Sequence, residues 1–464
     1  MSNYIYKVKE SRTYVWDVGT LAWVAMQQPI LEAGSVTIGG TVDVSDRAGR
    51  ALGVVSAASW PLPTGAATDA TFQNSSLIDE FGRLRVTAVE TLFDSKQIFS
   101  NDPLFWDDQE TSGGGTTSSW TADSAVSVMG VALSTAGVRV RQTFLHMNYE
   151  PGKTQLIYLT GNLRLSGGGT GITARIGYFH ETNGLFFENA AGTVRVVRRT
   201  HVSGSTVDNA VTQASWNLDT MAGAGPSGIT LDWTKHQILV IDFAWLGVGR
   251  VRFGVEVGGR IYYVHEMLHS NVLNSVYMST PNLPLRFELT NSGTGVASTM
   301  THGCSTVISE GGADPANGVL HYTSTTTLID ANAAGTLYAL LGIKLKTTAL
   351  GQTVQMLAAS VIALTADDFE WQLLLDPTVA GTFTYADLAN TNLQAAYGAT
   401  ANTVTGGIAV AGGQAQAGSL SEQLGSAMRL GSSIAGTPQA FVLAARPRTI
   451  NADFHGSLSW RELQ

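Results

Sequence analysis

The sequence predicts an all-β chain: two β-sandwiches of jelly-roll type preceded by an extended, β-rich N-terminal arm. Three observations predict it. Charged residues make up only 14% of the 464, hydrophobic residues 44%, and 51 residues are glycine, the profile of many short strands joined by small-residue turns. Along Val251–Val257 the alternation is strict, with Val251, Phe253, Val255 and Val257 on one side and Arg252, Gly254 and Glu256 on the other, the period of a half-buried strand. Gly258-Gly259 then signals a hairpin into Arg260-Ile261-Tyr262-Tyr263-Val264, which is rich in β-branched and aromatic residues.

Residues 1–90 carry only thin apolar pieces, Tyr14-Val15-Trp16 and Leu21–Val24, and a strand–Gly-Gly–strand pattern at 36–44. Segments this thin bury too little to stand alone, so they read as an arm that pairs with another protein. Pro61–Gly65 reads as a linker and Phe81-Gly82-Arg83-Leu84-Arg85-Val86 closes the arm. Residues 91–312 form the central sandwich. After a flexible loop at 113–117, strands are expected at 125–133, 137–145, 154–165, 171–180, 184–188, 193–202, 238–245, 250–257, 260–266, 284–290 and 296–308, with Asn183-Gly184 as a type I′ turn. Glu310–Gly318 is a linker. Residues 319–464 form the second sandwich, with strands at 338–345, 354–364, 369–375, 441–447 and 457–461. Helix competes at 354–364 and 418–429, since Ala and Leu favour both.

His265-Glu266-Met267-Leu268-His269 spells HExxH, the pattern of zinc hydrolases. The chemistry needs both imidazoles one helical turn apart, with the glutamate as general base. Here the string continues a strand. Four residues at roughly 3.3 Å each would put His265 and His269 about 13 Å apart, too far for one ion. The reading taken is therefore a strand end, with no metal, no cofactor and no catalytic residue assigned. A zinc hydrolase using His265, Glu266 and His269 is the alternative.

The formal net charge is −9, and the densest basic run is Arg195-Val196-Val197-Arg198-Arg199. That argues against nucleic acid as a partner and reads as a solvated strand or a protein contact. The single Cys304 permits no intramolecular disulfide; it reads as a small buried thiol. No leader is visible at Met1–Ile5, and no apolar run approaches the ~18 residues of a membrane span. Asp107-Asp108 and Asp367-Asp368 read as solvated loops, because adjacent strand residues point apart. Trp216, Trp233, Trp245 and Trp371 read as core, with sugar stacking as the rival.

Three stretches resemble a β-sandwich module of tailed-bacteriophage structural proteins. They are Phe81–Val86 with Asp102–Trp106, Trp245–Gly249 before Val251–Gly254, and His265–Asn271. The resemblance implies a non-enzymatic virion protein of tail-fibre, head-fibre, collar or capsid-decoration type, assembled in the host cytoplasm. Its implied partners are other virion proteins through the arm and further copies of itself, a trimer being expected from the prevalence of closed symmetry. A host-surface glycan is the remaining partner, and a carbohydrate-binding attachment protein the alternative function.

Overall fold

The computed structural model describes residues 75–163, 169–312, 317–365, 368–416, 418–425 and 428–463, and before residue 75 the backbone of five short strands. The chain divides into two compact units, Met1–Phe72 and Gln73–Gln464. In the first, Tyr6–Lys9, Arg12–Asp17 and Ala22–Ala25 form an antiparallel meander. Val42–Ser45 pairs forward with Ala51–Val55. Residues 36–41 of the expected strand–Gly-Gly–strand pattern lie outside the described residues.

The larger unit is all-β, with only three single-turn 3-10 segments among the described residues. Its first sandwich stacks two antiparallel sheets. One has seven strands, in the order Val207–Thr212, Thr193–Thr200, Gly184–Ala190, Ile172–Phe179, Leu285–Ser292, Ala136–Thr143, Trp106–Gly113. The other has eight. Seven run in the order Arg260–Met267, Val251–Val257, Gln237–Phe243, Gln155–Gly161, Ser298–Glu310, Val126–Val131, Thr116–Thr121, and Val89–Ser95 pairs with the far half of Ser298–Glu310. All eleven strands expected between 125 and 308 are present. The presumed loop at 113–117 is instead the corner where the chain passes from one sheet to the other. Ile176, Phe187 and Phe287 from the first sheet meet Leu159, Phe253 and Val307 from the second in one core.

Val251–Val257 follows the predicted alternation, Val251, Phe253 and Val255 being buried in the core. Gly258 and Gly259 turn the hairpin at φ +62° and +81°, angles that favour glycine. Arg252 points to the other face, yet it is 0% exposed, because residues 75–86 lie across it as a strap. Arg252 bonds Glu80 and, at 3.0 Å, Asp242, and donates to the Ile78 carbonyl at 2.9 Å. Arg85 from the strap reaches Asp242 and Glu310, and Arg250 pairs with Glu80 at 2.6 Å. Tyr263 hydroxyl also donates to Asp242.

The second sandwich pairs a five-stranded sheet with a six-stranded one. The first runs Val319–Ser324, Ala452–Leu463, Thr353–Ala363, Gly418–Gln423, with Ile329–Ala331 also on Ala452–Leu463. The second runs Ala386–Asp387, Leu393–Tyr397, Tyr338–Leu345, Ala440–Pro447, Phe369–Leu375, Ile408–Ala415. Strand wins over helix at Thr353–Ala363 because Val354, Met356, Ala359 and Val361 enter the core on one face. A bulge between Met356 and Ala358 shifts the parity. Gly418–Gln423 is likewise a strand, paired with Ala358–Ala363.

The two sandwiches meet through hydrogen bonds. Ser432 N–H donates to the Phe144 carbonyl at 2.9 Å, and Ile434 N–H to Asp107 Oδ2 at 2.7 Å. The approach needs a glycine: a Cβ on Gly431 would lie 2.6 Å from the Phe144 oxygen. Gly431→Ala is therefore expected to open this junction and cost about 1–3 kcal/mol, as overpacking does. Scanning calorimetry checks it; an unchanged melt would show that the junction adds nothing to stability.

Candidate functional site

The HExxH string lies on and just beyond a strand. Arg260–Met267 pairs with Val251–Val257, setting His265 opposite Phe253. His265 Nδ1 accepts from the Asn217 N–H at 3.2 Å. His269, past the strand end, has Nδ1 2.6 Å from the Gly249 carbonyl and stacks on Tyr277 at 4.2 Å. Glu266 faces Arg250 at 3.6 Å. Each ring is thus held by its own neighbours, and burial pushes both down to a pKa of about 4. Among the described residues no three His, Cys, Asp or Glu side chains are grouped so as to hold a metal ion.

Cys304 corrects the sequence reading, for it is exposed. A register break in Ser298–Glu310 opposite Leu159–Gly161 buries both His302 and Ser305, which turns Cys304 outward. His302 Nε2 lies 3.0 Å from Ser305 Oγ, a serine–histidine pair that sequence reasoning passed over. Arg141 Nε donates to His302 Nδ1 at 3.1 Å, so the ring proton sits on Nε2 and points at the serine. That tautomer cannot accept the serine proton, and burial and Arg141 hold the ring neutral.

Asp107 and Asp108 point apart as expected, but from a strand instead of a solvated loop. Asp108 pairs with Arg139 and Arg141, and Asp107 accepts from Ile434. Asp367 lies outside the described residues. Trp216 and Trp233 fill the first core, Trp245 packs against it, and Trp371 fills the second; none forms an exposed platform.

The arginine run shows where polar chemistry collects. On the outer face of the seven-stranded sheet Arg195 donates to Glu188 at 2.6 Å, and Arg175 bridges Glu188 and Glu288. Arg286 grips Glu288 at 3.0 and 2.8 Å and reaches Gln142 at 3.0 Å. This line crosses five strands. Burial alone would raise the Glu288 carboxyl, but Arg286 and Arg175 hold it below the usual range. An ionised, doubly paired glutamate is poorly suited to be the general acid of a glycoside hydrolase.

The line ends in a cleft of about 710 Å³ between the sandwiches. Arg286 and Gln142 line it, together with residues 146, 180–182, 280, 282, 348–352, 392 and 432–436. The Asn183-Gly184 hairpin supplies one wall, though with a four-residue loop, Phe179 pairing with Gly184. His180 Nδ1 shapes that loop by accepting from the Thr182 and Asn183 N–H groups at 3.1 and 3.3 Å. Burial, then Arg286 and Arg199, lower His180 to about 4; burial, then His180, lower His146 to about 3.

No protein-family model matches the chain, and no curated protein matches it in sequence. Among solved structures it is similar to an endo-1,3-beta-glucanase from Streptomyces sioyaensis, at 9% identity over 48% of this chain and 97% of that one, with a TM-score of 0.31. It is also similar to the CBM2 module of the evolved Dit of Lactobacillus casei BL23 phage J-1, at 8% identity over 49% and 99%, TM-score 0.32. Winged bean acidic lectin gives 7% identity over 48% and 99%, TM-score 0.28.

Proposed function

We propose that the chain is a non-enzymatic structural protein of a bacteriophage virion, attached to other virion proteins through its N-terminal residues and exposing its second sandwich. The strap is the observation that carries this reading. Its residues 81–86 are among those that resemble phage structural proteins, and Arg85 among them, with Glu80 just before, clamps the strap onto the first sandwich. An anchoring arm is useful only if tension on it reaches a folded body. Peeling the strap would take Glu80 from the fully buried Arg252 and Arg85 from the fully buried Asp242, and breaking buried pairs of this kind costs about 3–5 kcal/mol.

Leu77, Leu84, Val86 and Phe99, on or soon after the strap, are exposed, Phe99 by 87%. Large apolar side chains in water suit contact with another protein. The engagement of His265, Glu266 and His269 with separate neighbours supports a role without catalysis. Homo-oligomerisation, as a trimer, belongs to the same reading.

Deleting residues 1–60 is expected to leave the melting temperature of the sandwiches unchanged and to abolish incorporation into particles. Thermal melts beside an incorporation assay check this, and full incorporation of the truncated chain would refute the anchoring role. Light scattering on the intact chain, with bound zinc assayed on the same sample, separates a metal-free oligomer from the zinc-bearing monomer of the hydrolase reading.

A further inference from the structure

We propose that the cleft between the two sandwiches is a binding site for a neutral oligosaccharide. The site stands on the cleft's own chemistry and holds whether or not the chain is carried on a virion.

Its volume of about 710 Å³ falls within the roughly 300–1,000 Å³ of small-molecule sites, room for a few sugar rings. The walls offer hydroxyl donors already oriented by the backbone. Thr280 Oγ1 accepts from the Asn282 N–H at 3.2 Å, and Ser433 Oγ from the Thr437 N–H at 3.1 Å. Each hydroxyl keeps its own proton to donate elsewhere. Asn392 Nδ2 is engaged by Gln352 at 3.1 Å, which leaves its Oδ1 as an acceptor.

The two histidines add a second, independent sign. His146 Nδ1 is sealed from solvent and has no hydrogen-bond partner, yet the ring lines the cleft. The nitrogen left for the cleft is Nε2, and an N–H there avoids burying an unmatched donor. His180 Nδ1 accepts from the backbone, so its proton also sits on Nε2. The two ring centres are 6.2 Å apart.

Charge decides the ligand class. Arg286 is taken up by Glu288, and both rings are neutral at pH 7. The remaining ionisable lining residue is Glu181, which is exposed. A phosphate or uronate would therefore find no free cation and would meet a carboxylate instead. A neutral polyol matches donors and acceptors without needing either.

The test is titration calorimetry of the full chain with neutral hexasaccharides of glucose, mannose and galactose in several linkages, and with an oligogalacturonate. Ala435 lines the cleft with its side chain exposed, so Ala435→Trp should fill the cleft without disturbing the fold, as an unchanged melting temperature would verify. At least one neutral oligosaccharide is expected to bind at micromolar to millimolar concentration, Ala435→Trp to weaken it tenfold or more, and Ser433→Ala several-fold. No neutral binder at millimolar concentration, tightest binding by the oligogalacturonate, or binding untouched by Ala435→Trp would each overturn the proposal.

Discussion

Replacing Arg252 with methionine is expected to destabilise the first sandwich by about 3–5 kcal/mol, the range for breaking a buried ion pair from one side. The guanidinium is fully buried and bonds Glu80, Asp242 and the Ile78 carbonyl, with the Tyr263 ring 3.9 Å beneath it. Methionine keeps much of the volume but removes every donor, leaving two buried carboxyls facing each other. Burial and Asp242 already push Glu80 up, against the pull of Arg252 and Arg250. Losing one arginine should drive a proton onto the pair and loosen the strap. Urea unfolding reads the stability, and limited trypsin digestion at Arg83 and Arg85 reads the strap. Arg83→Met is the control: its side chain is 56% exposed, and such surface pairs are worth about 0–1 kcal/mol. Equal stability of the Arg252 variant and the parent would mean that the strap is held by something other than these charges.

Acid is expected to unfold the chain well above the carboxylate range. His146 titrates near 3 and His180, His265 and His269 near 4 in the fold, burial being the largest cause for each. Their ordinary value is about 6.5. Between those limits the unfolded chain binds protons that the folded chain refuses. Stability is therefore full above about pH 6.5 and falls as pH drops towards 4, each histidine contributing up to about 1.4 kcal/mol per pH unit. Glu288 acts with the same sign in a lower window, since its folded pKa is depressed. Glu80 acts oppositely: its raised pKa gives stability that is present in acid and lost as pH rises through the folded value. Urea midpoints at pH 7.5, 6 and 5 read the slope, and His146→Gln should flatten it. A midpoint that does not move between pH 7.5 and 5 would sink this account.

Period and turn chemistry made the strands of the first sandwich legible, most plainly in Val251–Val257, where each apolar residue had a polar neighbour to mark its face. Thr353–Ala363 was ambiguous because a bulge interrupts its alternation and its alanines suit helix as well. Cys304 misled for a related reason: the register break that exposes it leaves no mark in composition. Arg141, Arg252 and Arg286 were illegible as buried groups, since a charge on a strand normally marks the wet face. Their surroundings, a strap for Arg252, the opposite sheet for Arg141 and the cleft between the sandwiches for Arg286, are supplied from far along the chain. The cleft had no local signal at all, because its walls come from loops spread between His146 and Gly436 that meet only when both sandwiches have formed. HExxH was the reverse case, a strong local string whose strand setting removes the helical spacing that gives it meaning.

The strand Ala452–Leu463 lies inside its sheet, bonded to Thr353–Ala363 on one side and to Val319–Ser324 and Ile329–Ala331 on the other. All three partners are made long before it. On the ribosome, the five-stranded sheet must wait with an open centre until Leu463 has emerged from the exit tunnel, a delay characteristic of sequence-distant pairing. A chain broken off by premature termination between Ala363 and Ala452 would keep a closed first sandwich and expose the unpaired edges of Thr353–Ala363 and Val319–Ser324. Such products should be recognisable to cellular quality control, so that translation itself screens which copies go forward.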